Sequence, residues 1–263
     1  MDNVTDKSIT VANVKTRIKM AGRGEPIVFL HGMRMADLWL PFHQQLANHF
    51  TLYAPDHPGF GLSDNPEWFD TMEDFVIHYI DLLKALDLSS VTLVGHSLGA
   101  WIAAELASFF PEQVKKLVLI APSGLRLANA PIADIFALSP EQLAMLCFKD
   151  ISKAMIVASQ RDMSNMKKLL LQDYRERTMV AKLAWNLGYN PKLLPRLRRV
   201  SSPTLVIWGK DDQLISTAYG EAYRNAITGA KLALLDDCGH MPIVEQTEQT
   251  VNLIKEFLTK EQD

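Results

Sequence analysis

Residues 91–99, Val-Thr-Leu-Val-Gly-His-Ser-Leu-Gly, constrain the fold more than any other stretch of the chain. Val91–Val94 is a short β-branched apolar run, which predicts a buried strand, and the alanine-rich segment Ala100–Phe110 predicts a helix. Between them, Gly95-His96-Ser97-Leu98-Gly99 matches G-x-S-x-G. A strand that turns straight into a helix strains the backbone of its central residue. Glycines two positions to either side let neighbouring backbone approach with no Cβ in the way. Ser97 Oγ is then presented at the strand end, over a helix N-terminus whose free N–H groups favour developing negative charge. The pentapeptide alone arises by chance in many proteins; set between strand and helix, it is specific.

The rest of the chain repeats that alternation. Apolar runs at Ile27–Leu30, Thr51–Ala54, Leu117–Ile120, Thr204–Trp208 and Leu232–Leu235 predict further strands. A leading hairpin is expected near Ile9–Val11 and Thr16–Met20. Helical patterns fall near 38–48, 71–86, 98–109, 217–226 and 246–258. Alternating strands and helices imply an α/β fold with a mostly parallel sheet and helices on both faces. From about Ser123 to Val200 the rhythm breaks: no convincing strand appears, and Pro131, Pro140, Pro191 and Pro195 punctuate helical sequence. This stretch reads as an inserted helical cap, giving a core from 1–122 and 201–263 and a cap from 123–200.

The cap also differs in charge. It has thirteen Lys/Arg against six Asp/Glu, a net +7, and the remainder carries −10. Either a basic lid over an anionic substrate or ordinary solvated helix faces accounts for this. The total of −3 over 263 residues gives no reason to expect nucleic acid or an anionic membrane as partner. Residues 91–110 are apolar, but the turn glycines and Glu105 interrupt them, so no membrane span is expected. The polar, acidic start of the chain does not resemble a signal peptide. Cys147 and Cys238 form no metal or disulfide pattern, which fits a reduced, cytoplasmic setting. Met33, Met35, Met145, Met155, Met163, Met166 and Met179 lie in the cap or near the expected mouth, and flexible thioethers suit an adaptable apolar cleft or plain helix packing.

A serine hydroxyl is a weak nucleophile unless a base takes its proton and a third group orients that base. Both partners are available after later strands, in Gly209-Lys210-Asp211-Asp212 and in Asp236-Asp237-Cys238-Gly239-His240. The order Ser, Asp, His suits three side chains projecting from one edge of a parallel sheet, where ligand sites gather. His31 and His57 sit in loop motifs, His43, His49 and His78 in helical patterns, and His96 inside the turn. Only His240 follows a late strand.

Five blocks together resemble the α/β-hydrolase family, in particular its small cap-bearing serine esterase-like members, over nearly the whole chain. They are His31-Gly32-Met33, Asp56-His57-Pro58-Gly59-Phe60-Gly61-Leu62-Ser63, the Ser97 turn, Trp208-Gly209-Lys210-Asp211-Asp212, and Cys238-Gly239-His240. The resemblance implies Ser97 as nucleophile, His240 as general base and Asp212 as orienting acid. The family motif keeps its carboxylate at the second position of the aspartate pair, and Asp211 is the alternative. Asp236 and Asp237 read as solvated turn residues. An oxyanion hole is implied at the backbone N–H groups of Leu98 and Met33. Arg34 would either grip a substrate carboxylate or pair with an acid such as Asp37. His96 and Trp101 are further candidates for substrate contact, although Trp101 also reads as core. Cys238 reads as a buried small residue.

The implied reaction is hydrolysis of a small carboxylic ester through an acyl-enzyme, with a small-molecule substrate and neither metal nor organic cofactor. Dehalogenase-like and epoxide-hydrolase-like members carry an aspartate nucleophile, which this chain lacks. Carbon–carbon hydrolases of aromatic breakdown typically show asparagine before the nucleophile and tryptophan after the base, where this chain has His96 and Met241. Lactonase and thioesterase chemistry use the same serine and stay open. A ligand receptor on the same scaffold, with slow or absent turnover, is the alternative from another class. Oligomeric state is not readable.

Overall fold

A computed structural model describes residues 4–161, 164–185 and 188–260. Eight strands form one sheet: β1 (Thr5–Val11), β2 (Val14–Ala21), β3 (Pro26–Leu30), β4 (Thr51–Pro55), β5 (Val91–His96), β6 (Val114–Ile120), β7 (Thr204–Gly209) and β8 (Lys231–Leu235), in the order β1-β2-β4-β3-β5-β6-β7-β8. β1 and β2 form an antiparallel hairpin, β2 pairs antiparallel with β4, and every later pairing is parallel. The hairpin is longer than the apolar pattern predicts. Most of β1 faces solvent, so its residues carry no hydrophobic signal.

Period-two alternation decides which face each side chain serves. On β3, Val28 and Leu30 point to one face while Ile27 and Phe29 point to the other. Leu117 and Leu119 of β6 and Val206 and Trp208 of β7 join the first face. That face is covered by α2 (Met72–Ala85), α3 (Leu98–Phe109) and α8 (Ala218–Ala226), through residues such as Phe75, Ile102 and Tyr219. The second face is covered by α1 (Pro41–Ala47), α9 (Pro242–Glu245) and α10 (Thr247–Thr259), through Phe42, Ile243 and Ile254. Two helical predictions need correction. The 38–48 pattern yields a helix only from Pro41, because proline is favoured at a first helical position and ends the extended backbone before it. His49 therefore lies beyond α1. The C-terminal pattern begins earlier, with the short α9 and a break at Gln246.

Between β6 and β7 the chain leaves the sheet and forms α4 (Pro140–Cys147), α5 (Ala154–Ala158), α6 (Met166–Ala184) and α7 (Leu193–Arg196). Its only β pairings among the described residues are isolated bridges, Gly124 with Tyr189 and Leu127 with Ala130. Ser139 caps α4 by accepting from the Gln142 N–H, with Pro140 as the first helical residue. No helix among the described residues is long and apolar enough to cross a membrane.

Candidate active site

Ser97 is the single residue between β5 and α3, and its backbone sits at φ 52°, ψ −112°. A non-glycine residue there costs on the order of 1–3 kcal/mol, so the surroundings must impose it. They do so from both sides. The Ser97 N–H donates to Ile120 O at 2.9 Å, and its carbonyl accepts from Trp101 N at 3.0 Å. A Cβ at Gly99 would collide with the Leu30 carbonyl, and one at Gly95 would lie 2.5 Å from Ala100 Cα. The two glycines therefore hold the turn against β3 and α3, as the pentapeptide spacing predicts.

His240 and Asp212 lie on the loops after β8 and β7. His240 Nε2 lies 3.0 Å from Ser97 Oγ, and His240 Nδ1 lies 2.8 Å from Asp212 Oδ2. Because a carboxylate only accepts, Nδ1 carries the proton and Nε2 offers its lone pair to the serine hydroxyl. Asp212 is fixed by four donors. Leu214 N and Ile215 N reach Oδ1 at 2.9 Å each, and Trp208 Nε1 reaches Oδ2 at 3.0 Å beside the imidazole. Asp211 turns the other way and pairs with Lys149 at 3.0 Å, so of the two aspartates only Asp212 meets His240. Asp236 is exposed and paired with Lys210, and Asp237 occupies an exposed left-handed position in the turn.

The loop carrying His240 is tied down at its backbone. Its N–H donates to Cys147 O at 2.7 Å, at the end of α4. Its carbonyl accepts from His96 Nε2 at 2.9 Å. A carbonyl only accepts, so Nε2 bears the His96 proton; burial, then nearby His240, lowers its pKa to about 3 and keeps the ring neutral. Glu245 binds Gly239 N at 2.8 Å and Asp150 N at 2.9 Å, clasping this loop to the segment after α4. No pattern in the sequence marks Cys147 O or Glu245 for these parts, although Trp208 stands inside a block that does.

Leu98 is the first residue of α3 and Met33 lies in the loop after β3. Among the described residues neither N–H meets an acceptor, as expected for a helix start and for an irregular loop. The loop is braced from below. Asp56 accepts from Asp37 N at 2.8 Å and from Leu62 N at 2.9 Å, while Arg17 meets Asp6, Asp37 and Asp56. Gly61, at φ +50°, is the point where a Cβ would run into the Asp56 carboxylate. The rings of His31 and His57 lie 3.8 Å apart, tilted by 32°, and each bonds to the other's backbone.

Two cavities meet at Ser97, Met33 and Leu214. One of about 410 Å³ runs toward α4, α5 and α6 past His96, Leu143, Val157 and Leu169. The other, about 330 Å³, runs past Trp101, Ile135 and Val180. Arg34 lines the first, but its acid is Asp173 of α6 at 3.0 Å, because Asp37 is already taken by Arg17 and Lys19. Arg161 donates to the Arg34 carbonyl at 2.5 Å from the same wall. Trp101 edges the second cavity and gives its indole N–H to Glu105 at 3.1 Å. Of these methionines, Met33, Met35 and Met166 line the first cavity, and Met179 is buried in the core. Met145 and Met155 instead face solvent, and Met163 lies outside the described residues. Burial pushes the Cys147 thiol up to about 12 and the buried Cys238 thiol up as well, so neither offers a thiolate near neutrality. Among the described residues no group of three His, Cys, Asp or Glu side chains is arranged to hold a metal ion.

The sequence pattern of the alpha/beta hydrolase family matches residues 27–253, most of the chain. This chain belongs to that family. An uncharacterized protein of Mycobacterium tuberculosis is 28% identical over 95% of the chain and 80% of its own length. The 2-hydroxy-6-oxo-6-(2'-aminophenyl)hexa-2,4-dienoic acid hydrolase of Metapseudomonas resinovorans is 26% identical over 98% of the chain and 92% of its own. Among solved structures, a bacterial membrane phospholipase A superposes with a TM-score of 0.82 at 24% identity, covering 97% of this chain and 86% of that one, a likeness of fold.

Proposed function

We propose that this member of the alpha/beta hydrolase family is a serine hydrolase cleaving small carboxylic esters through an acyl-enzyme. The observation that carries the reading is the unbroken line from Asp212 Oδ2 through His240 to Ser97 Oγ, with contacts of 2.8 and 3.0 Å, at the junction of two cavities. Ser97 Oγ attacks the acyl carbon as its proton passes to His240 Nε2, and Asp212 steadies the resulting imidazolium. The oxyanion forms against the N–H groups of Met33 and Leu98, each contributing roughly 3–4 kcal/mol. His240 returns the proton to the departing alcohol, then deprotonates a water that cleaves the acyl-enzyme. Residues 123–200 act as a cap over a core built from 1–122 and 201–263, and the two cavities separate acyl from alcohol portions.

A second reading, hydrolysis of a carbon–carbon bond in a dienoic acid, is favoured by the 26% identity to the hydrolase of that name and by Arg34 and Arg161 in the cavity wall. His96 and Met241 stand where such enzymes carry asparagine and tryptophan, which sets it second. Steady-state turnover on a panel of p-nitrophenyl esters, lactones, thioesters and dienoic acids separates the readings. The ester reading expects repeated turnover with acyl-Ser97 trapped at short times. One equivalent of product and no more would instead indicate a receptor, and preference for the dienoic acid would promote the second reading.

A further inference from the structure

Residues 123–200, the bulk of the excursion between β6 and β7, are 78 of the 263 residues. They nonetheless bear nine of the thirteen large apolar side chains that stand exposed among the described residues. These are not scattered. Leu170, Leu171 and Tyr174 are 63%, 60% and 73% exposed and share one stripe of α6, at three- and four-residue spacing. Met166 and Leu170 also line the 410 Å³ cavity that contains Ser97, so the stripe begins at the cavity mouth. Met145 and Met155 face solvent next in sequence to the lining residues Ala144 and Ala154. A contiguous exposed apolar patch of this kind marks an interaction site rather than ordinary surface.

Charge selects the occupant. The only acids of α6 are turned inward: Asp173 pairs with Arg34 and Arg177, and buried Glu176 accepts from Gly61 N. Lys167 and Lys168 are exposed at the start of the helix, beside the stripe. The outward face of α6 thus presents apolar side chains and cations without a carboxylate. The net +7 of the excursion against −10 elsewhere orients the molecule in the field of an anionic surface, a polarity that the total of −3 conceals. Two such basic faces repel, which disfavours a second copy as the partner.

We propose that the outer face of α6 docks onto an anionic lipid surface. Leu170, Leu171 and Tyr174 enter the interfacial layer, Lys167 and Lys168 meet lipid phosphates, and the cavity mouth opens into the layer. On the ester-hydrolase reading, on which this consequence alone rests, the natural substrates are lipid esters whose acyl chains pass directly from the layer to Ser97.

Flotation with vesicles tests the docking independently of turnover when Ser97→Ala protein is used. Equimolar phosphatidylglycerol and phosphatidylcholine should retain the protein at least about tenfold better than phosphatidylcholine alone, with release at high salt. The pairs Leu171→Ser with Tyr174→Ser, and Lys167→Glu with Lys168→Glu, should each lower retention by about tenfold. In a Ser97 background the same pairs should hydrolyse a soluble short-chain ester within about twofold of the parent, showing an intact fold. Retention absent, or unchanged in both pairs, overturns the proposal. So does an oligomer that the apolar pair converts to monomer, which would make the face a self-association surface. Docking by a protein that turns over no ester would uphold the proposal and sink the ester reading instead.

Discussion

The sheet rim and the β6–β7 excursion enclose the same serine, yet they are built in opposite ways. At the rim, His240 and Asp212 are buried, and Asp212 is held by four donors while the His240 backbone is fixed at both its N–H and its carbonyl. In the excursion, apolar side chains stand exposed on α4, α5 and α6. All seven histidines of the chain belong to the core and none to residues 123–200. On the proposed hydrolase reading, the difference separates the groups that act on the substrate from the walls that select it. Transition-state stabilisation requires preorganised groups, whereas choice of substrate tolerates adaptable apolar walls.

That division can be broken first at the rim. Ser97→Ala should lower kcat by about 10⁴–10⁶-fold, and Asp212→Asn by about 10⁴-fold, with little change in KM. Pre-steady-state and steady-state kinetics on one ester check both, and retained turnover in Ser97→Ala removes the serine from the mechanism.

Acid should attack the same half of the molecule. Burial holds His31, His43, His57, His78 and His96 below their ordinary pKa, to about 3 for His43 and His96 and about 4 for His78. Unfolded, each would titrate near 6.5, so below that pH the unfolded chain binds protons that the folded chain refuses. Stability is therefore full above about pH 6.5 and falls toward pH 4, by up to about 1.4 kcal/mol per pH unit for each histidine. Denaturant titrations at pH 7, 6 and 5 (about unit steps across that window) read the slope, and a flat profile would contradict the neutral burial of these rings.

Smaller effects sharpen the boundary. A Cβ at Gly32 would lie 2.7 Å from His96 Nδ1 and 3.3 Å from Ser97 Cβ, so Gly32→Ala should displace the loop of Met33 and cost about 10²-fold in kcat. Filling one cavity should act on selection alone. Ala158→Trp, in the 410 Å³ cavity, and Ala133→Trp, in the 330 Å³ one, should shift preference between long acyl and long alcohol portions in opposite senses. A change of about tenfold in kcat/KM is expected, with acetate esters unaffected. Identical profiles for the two variants would deny the separation.

Much of this architecture is legible in residue order because the core obeys short-range rules. Ser97 announces itself by strand, glycine spacing and helix, and Asp212 and His240 by the strands that precede them. The choice between Asp211 and Asp212 rests on family resemblance until the structure turns Asp211 toward Lys149. Other features depend on contacts that no local pattern encodes. The partner of Arg34 is Asp173, well over a hundred positions away, and the Cys147 carbonyl has no side-chain signature at all. Exposed Met145 and Met155 look like pocket-lining residues in sequence because periodicity reports a helix but not which face is covered.

The bond from the His240 amide to the Cys147 carbonyl, with Glu245 spanning the same seam, joins the end of α4 to the loop that carries the imidazole. Hinging α4 outward to admit a bulky guest must sever that seam or drag the imidazole with it. Any substitution that shifts α4 should therefore be felt at the imidazole, through backbone bonds and one carboxylate rather than through a side chain of the site.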